Sequence, residues 1–296
     1  MSFHDRPIGI FDSGVGGLTV LRALRDRLPA ESLLYLGDTA RLPYGTKSPE
    51  TIARYAVQAA GLLVERGIKL LVVACNTASA HALDALRDAY PDIEVTGVIE
   101  PGAEAACAAS ASGRIAVIAT ESTAKAGAYQ HAIHRIRSDA EVVTQACSVF
   151  VALAEEGWLD GPVAEAAARR YLAPLFDGAQ PRPDTLVLGC THFPLLRPVL
   201  EAIVGPDVVL VDSAVTTAGV VAEMLERAGV GVAAGNGPAP APIRLLATDA
   251  PDRFARVAAN FLPFPITSSM VELVDLQQAG VKVVRPAPVF STPDSP

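Results

Sequence analysis

Aromatic residues make up only 5% of this 296-residue chain, with a single tryptophan, so a core of stacked rings is excluded. Half of the residues are hydrophobic all the same. Small and aliphatic side chains in that proportion suit layers of helices on parallel sheets better than an aromatic-rich β-sandwich. Long apolar runs are missing too: the hydrophobic stretches are four to eight residues long, against the roughly 18 needed to span a bilayer. The opening MSFHDRPIGIFDSG lacks the charged-then-apolar plan of a secretory leader. Cysteine is rare, four in all and none in a tight framework, which fits a reducing compartment. A soluble cytoplasmic protein without membrane contact is expected. Positive charge is in deficit, with 24 Lys and Arg against 32 Asp and Glu for a net −8, and no local basic cluster offsets it. A nucleic-acid surface is therefore not expected. An anionic small substrate is still admissible, because backbone N–H groups and hydroxyls can hold one in a cleft.

What the chain does have is one segment used twice. Leu70 to Ser79 reads LLVVACNTAS, and Thr185 to Pro194 reads TLVLGCTHFP. In each, an aliphatic run of the kind buried on both faces of a sheet delivers a thiol, Cys75 or Cys190, and small polar residues into a turn. A helical pattern follows each, so both thiols are expected near helix N-termini, where the macrodipole favours a thiolate. A lone buried cysteine reads as a small hydrophobe. Two in matched settings read as chemistry.

Around these segments the spacing predicts alternating strands and helices. Ile8 to Phe11 is a strand that runs into Asp12-Ser13-Gly14-Val15-Gly16-Gly17, and Leu18 to Leu28 a helix stopped by Pro29. The glycine turn resembles a dinucleotide fingerprint, but Thr19 takes the place of its third glycine and Asp12 would face the pyrophosphate. Leu33 to Leu36 leads to Asp38 and to a loop carrying Pro43, Tyr44 and Gly45, a rim position that makes Tyr44 a candidate substrate contact. Ser48-Pro49-Glu50 caps a helix to about Arg66. Thr77 to Tyr90 reads as one helix, Glu94 to Val98 as a strand, and Glu100-Pro101-Gly102 as a break. From Gly113 the plan restarts. Ile115-Ala-Val-Ile-Ala-Thr matches Ile8-Gly-Ile-Phe-Asp-Ser in register, each opening strand preceding its cysteine by 65 to 75 residues, which implies two domains of related topology.

Other residues draw blander readings. His131 and His134, three apart on a helix without a nearby third ligand, read as a solvated face, and no metal is assigned. Cys107 lies in an alanine-rich helix and reads as structural. Glu155 and Glu156 follow the strand that ends at Cys147, and spacing assigns neither a role. Val208 to Val211, Ile243 to Ala247 and Pro251 to Leu262 supply further strands and a helix, with a Gly/Pro/Ala-rich linker before Ile243 and a Pro-rich tail expected to be partly disordered.

Two thiols facing one cleft can invert a carbon centre, one removing a proton and the other delivering one to the opposite face. Reacting atoms at roughly 3 to 3.5 Å from each sulfur put the sulfurs about 6 to 7 Å or more apart; a disulfide needs about 2 Å. A thiol reference pKa of about 8.5 suits the task once tuned by neighbours. Here His192 and Asp12 are the candidates.

Asp12-Ser13-Gly14, Pro43-Tyr44-Gly45, Cys75-Asn76-Thr77 and Gly189-Cys190-Thr191-His192, in this order and at these spacings, resemble the glutamate racemases of the aspartate/glutamate racemase superfamily from about Ile8 to Leu262. The resemblance implies a cofactor-independent amino-acid racemase that interconverts L- and D-glutamate for peptidoglycan, with Cys75 deprotonating the D-isomer and Cys190 the L-isomer. It implies that Asp12-Ser13, Pro43, Tyr44-Gly45, Asn76-Thr77 and Thr191-His192 bind substrate, and that Asp12, Asp38, Glu155 and His192 assist or tune the thiols. It further implies an α/β fold of two flavodoxin-like domains with mostly parallel sheets and the active site in the cleft between them. The first domain would comprise residues 1–98 with 210–275, the second 99–209, and the tail 276–296. Many such relatives dimerise, so a homodimer is the expected assembly. The segment after Cys147 departs from the family pattern by lacking its prolines, and Ala247-Thr248-Asp249 replaces a usual Thr-Gly. An aspartate or hydantoin racemase, or a binding module without turnover, are the other readings.

Overall fold

The computed structural model describes residues 3–178, 181–232 and 241–276. The strands are β1 (Ile8–Asp12), β2 (Leu33–Gly37), β3 (Leu70–Val73), β4 (Glu94–Gly97), β5 (Arg114–Ala119), β6 (Glu141–Ala146), β7 (Thr185–Gly189), β8 (Val209–Asp212), β9 (Ile243–Ala247) and β10 (Val271–Leu273). The helices are α1 (Leu18–Arg27), α2 (Pro49–Glu65), α3 (Asn76–His81), α4 (Leu83–Ala89), α5 (Ile99–Ala109), α6 (Glu121–Ala126), α7 (Ala128–Ile136), α8 (Val149–Glu156), α9 (Gly161–Phe176), α10 (Arg197–Val204), α11 (Ser213–Ala228) and α12 (Pro251–Ala258).

Two sheets result, ordered β10-β9-β2-β1-β3-β4 and β6-β5-β7-β8, and every strand pair in both is parallel. The class is thus α/β with two parallel sheets. Strip β9 and β10 from the first sheet and both read second-first-third-fourth, the flavodoxin-type winding. Sequence likeness between the halves was faint, yet the winding makes β3 and β7 equivalent. Each carries its cysteine just past its C-terminal end, at the side of the first strand where the connections reverse and ligand crevices form.

Why these runs are strands is visible in their burial. Leu70 and Val72 face one layer of the first lobe and Leu71 and Val73 the other; no residue of that strand is more than 2% exposed. Period-two alternation between two apolar layers is what a doubly covered parallel strand requires. At roughly 2 kcal/mol per fully buried aliphatic side chain, the four hold the strand end, and Cys75 beyond it, in place.

Several sequence expectations change. Glu100-Pro101-Gly102 does not break the chain but sits in the first turn of α5, where proline's missing N–H costs no hydrogen bond. The helix expected over 77–90 is divided at Ala82. Asp212 caps α11 from just before Ser213, its carboxylate accepting from Ala214 N at 3.2 Å. β8 is an edge strand of the second sheet, which therefore continues past residue 209. α11 then packs against both α1 and α5. β10 was not anticipated. Among the described residues no helix is long and apolar enough to cross a membrane. Beyond Leu276 the Pro-rich tail lies outside the described residues, as does most of the linker before β9.

Candidate active site

Cys75 is the N-cap of α3. Its sulfur accepts from Ala78 N at 3.5 Å and donates to Ser13 Oγ at 3.3 Å, and the residue is 6% exposed. A helix end was expected to acidify this thiol, but the opposite holds. Burial pushes it up to about 12, the negative charge of Asp12 pushes the same way, and the bonds to Ser13 and Ala78 offset only part of this. Desolvation of a fully enclosed sulfur outweighs a single turn of dipole.

Asp12 is itself buried, 1% exposed, at the end of β1. It accepts from Gly14 N at 2.9 Å and from the Tyr35 hydroxyl at 3.4 Å. Burial raises its pKa, while the charge of His192 and the N–H groups of Gly14, Gly17 and Ser13 pull it back. The glycine turn therefore spends its donors on the chain's own carboxylate, which removes them from any phosphate. Asp12 stands behind the cavity wall rather than on it.

Cys190, also 6% exposed, follows β7. A 3-10 turn over Phe193–Leu196 comes next, so the expected helix N-terminus is not beside this sulfur. An imidazole takes its place: His192 Nδ1 is 3.8 Å from Cys190 Sγ, and His192 Nε2 is 3.2 Å from Glu155 Oε1. Burial alone would drive His192 towards neutrality. The hydrogen bonds to Cys190 and Glu155 and the electrostatic attraction of the same two groups outweigh it and raise the imidazole to about 10. Burial likewise pushes Glu155 up, and His192 together with Arg253 brings it below the usual carboxylate range. Arg253 reaches Glu155 Oε2 at 2.7 Å from α12. Spacing had assigned Glu155 no role; the structure separates it from Glu156, which is exposed.

Both sulfurs line one cavity of about 300 Å³, shared with Ser13, Pro43, Tyr44, Gly45, Asn76, Thr77, Thr191, His192 and Glu155. Neither is in a disulfide. Tyr44 is held by a 2.5 Å bond from its hydroxyl to Asp38 Oδ2. Asp38 also binds Arg41 Nε at 2.7 Å and the Thr248 hydroxyl at 3.0 Å, so it sets Tyr44 rather than facing either thiol. Asn76 Nδ2 donates to the Tyr129 hydroxyl at 2.8 Å, and the buried Asn76 Oδ1 has no protein partner.

Sequence reasoning missed Thr120, Ser148, Val151 and Ala152, which also line the cavity. The register between the halves held a signal for Thr120, which takes in the second half the place Ser13 takes in the first. For Ser148, Val151, Ala152 and Glu155 it was the single face they share on one helical stretch. Arg253 and Tyr129 carried no such mark. His131 is exposed and His134 bonds to the Ala140 carbonyl at 3.0 Å; Cys107 is half-buried and Cys147 buried without lining the cavity.

The cavity is made where the lobes touch. Thr77 of the first lobe joins Thr120 and Thr123 of the second in a hydroxyl triangle at 3.0 to 3.2 Å, and the Thr19 hydroxyl donates to Thr191 O at 3.2 Å. The enclosure thus sets a buried thiol with a raised pKa on one wall and a thiol beside the His192 imidazole on the other.

Comparison with known proteins agrees with this geometry. The sequence profile of the Asp/Glu/hydantoin racemase family matches residues 17–221. A glutamate racemase of Geobacter metallireducens is 58% identical over 220 residues, covering 74% of this chain and 80% of that protein. One from Chlorobaculum parvum is 45% identical over 93% of this chain and 96% of its own length. The crystal structure of glutamate racemase from Francisella tularensis in complex with D-glutamate superposes with a TM-score of 0.84 at 35% identity, over 92% of this chain and 98% of that one. The chain therefore belongs to the Asp/Glu/hydantoin racemase family, among its glutamate racemases.

Proposed function

We propose that this chain interconverts L- and D-glutamate with two cysteines as acid and base. One observation carries the reading: Cys75 and Cys190, at equivalent ends of equivalent strands, open as free thiols onto the same 300 Å³ cavity. The Francisella relative binds D-glutamate, which supports glutamate as the substrate here.

In the L-to-D direction Cys190, with His192 stabilising its thiolate, takes the α-proton, and Cys75 gives its own to the other face. In the reverse direction Cys75 must lose its proton. Its raised pKa makes the positive charge of the substrate's ammonium part of that step. Asp12 acts on Cys75 through its charge, and Glu155 acts on Cys190 through His192. Ser13, Pro43, Tyr44, Gly45, Asn76, Thr77, Thr191 and His192 form the substrate's walls. The two-thiol scheme calls for no cofactor. We place the reaction in the cytoplasm, supplying D-glutamate to peptidoglycan. The second domain runs from 99 to 212, through the end of β8, and the first comprises 1–98 with 213–275, which moves the expected boundary from 209. The homodimer expected from the resemblance is kept as the proposed assembly.

The test is conversion of L-glutamate to D-glutamate by purified protein with no cofactor added, followed by chiral chromatography. Cys75→Ser and Cys190→Ser are each expected to lower net racemisation by about 10³-fold or more. Near wild-type turnover in either variant contradicts the scheme.

A further inference from the structure

The base wall of the cavity is braced from the opposite lobe. Glu155 belongs to α8, and its two carboxylate oxygens have different partners: Oε1 meets His192 Nε2 at 3.2 Å, and Oε2 receives Arg253 Nη2 at 2.7 Å. Arg253 sits in the first turns of α12, which follows β9 of the first sheet. A second tie comes from the residues after the same helix, where Asn260 Nδ2 donates to the carbonyls of Ala154 and Glu155 at 3.3 and 3.2 Å. One segment of the first lobe therefore grips the side chain and the last turn of α8 together. The imidazole is also bounded on this side, the rings of His192 and Phe261 meeting edge to face at 5.4 Å.

We propose that Arg253 is a positioning residue for the Cys190 base, acting through Glu155 and His192, with Asn260 fixing the backbone on which Glu155 stands. A carboxylate split between two donors has its rotation fixed, and a bidentate-capable guanidinium in contact keeps it ionised. Both effects point the same way. A fixed, charged Glu155 holds His192 as the cation that faces Cys190, whereas a Glu155 released from Arg253 turns towards water. No sequence signal announces the link, because Arg253 and Glu155 are 98 positions apart and meet only through the packing of the two lobes.

The inference rests on the two-thiol reading, and the experiment separates the two. Protein is alkylated with iodoacetamide at pH 6, and Cys190 and Cys75 are followed separately by peptide mass spectrometry. The groups interacting with Cys190 are His192, Cys75 across the cavity, Cys147 and Tyr129, with Glu155 and Asp12 interacting with His192; the substitutions leave all of them in place. In the wild type, Cys190 is expected to react faster than Cys75 at this pH. If it does not, the base reading fails first. Given that difference, Arg253→Gln is expected to slow Cys190 alkylation by about fivefold to tenfold, the loss of one partly exposed charge-assisted bond, without slowing Cys75. Arg253→Lys restores most of the rate and Asn260→Ala lowers it in the same sense. Arg256→Gln, the same charge change at an exposed position of α12, leaves it unchanged. Unaltered or faster Cys190 alkylation in Arg253→Gln overturns the inference while leaving the two-thiol scheme standing.

Discussion

Gly16 is the point at which the first lobe makes room for His192. A Cβ there would lie 2.4 Å from His192 Nδ1 and Cε1 and equally close to the Thr191 hydroxyl, inside any permitted contact. The absent side chain lets the turn after β1 close against the turn after β7. Gly16→Ala is expected to push the imidazole off Cys190, lowering kcat/KM at least tenfold at a stability cost of about 1–3 kcal/mol, the usual penalty for overpacking. Steady-state kinetics and urea denaturation check it. Wild-type kinetics would mean that His192 needs no close seat.

Asp12 is argued to act on Cys75 by charge and not by touching substrate. Its negative charge helps hold the Cys75 thiol at about 12. Removing that charge must therefore lower the thiol pKa. Asp12→Asn should move the pH midpoint of Cys75 alkylation downward and reduce kcat more than it raises KM. A raised KM with unchanged kcat and an unmoved midpoint would make Asp12 a simple substrate contact.

At the opposite end of the first lobe, Lys69 and Glu31 form an ion pair at 2.6 Å with side chains 0% and 2% exposed. Lys69 Nζ also donates to the carbonyls of His4 and Val230, and Val232 N donates to Glu31 Oε1. The pair thus ties the chain's start and the segment after α11 to the base of the sheet. Lys69→Met strands a buried carboxylate and is expected to cost about 3–5 kcal/mol in urea denaturation; the double variant Lys69→Met/Glu31→Leu should recover much of it. A cost under 1 kcal/mol for the single variant would show that water reaches the site.

The strand ends were legible because an aliphatic run stopped by a thiol and small polar residues is a local pattern. The same is true of the α2 cap, where Ser48 accepts from Thr51 N at 3.3 Å. The register between halves was legible only in outline, since strand order depends on contacts far apart in the chain. What local pattern could not supply was electrostatics. Cys75 at a helix cap promised a lowered pKa, and burial reversed it. Asp38 promised a partner for the thiols, and its oxygens went to Tyr44, Arg41 and Thr248. Arg253 gave no promise, being one arginine on an amphipathic helix until α12 was packed against α8.

The central claim is that two different groups exchange protons with the two faces of one carbon, and isotope placement at early times tests it most directly. L-glutamate is incubated in D2O and quenched within the first few per cent of conversion. The product D-glutamate and the recovered L-glutamate are then separated and weighed by mass spectrometry. Deuterium is expected at the α-carbon of nearly all the product and almost none in the recovered substrate, with the mirror result starting from D-glutamate. Deuterium entering both enantiomers alike, or product that keeps the original hydrogen, would mean a single group serves both faces.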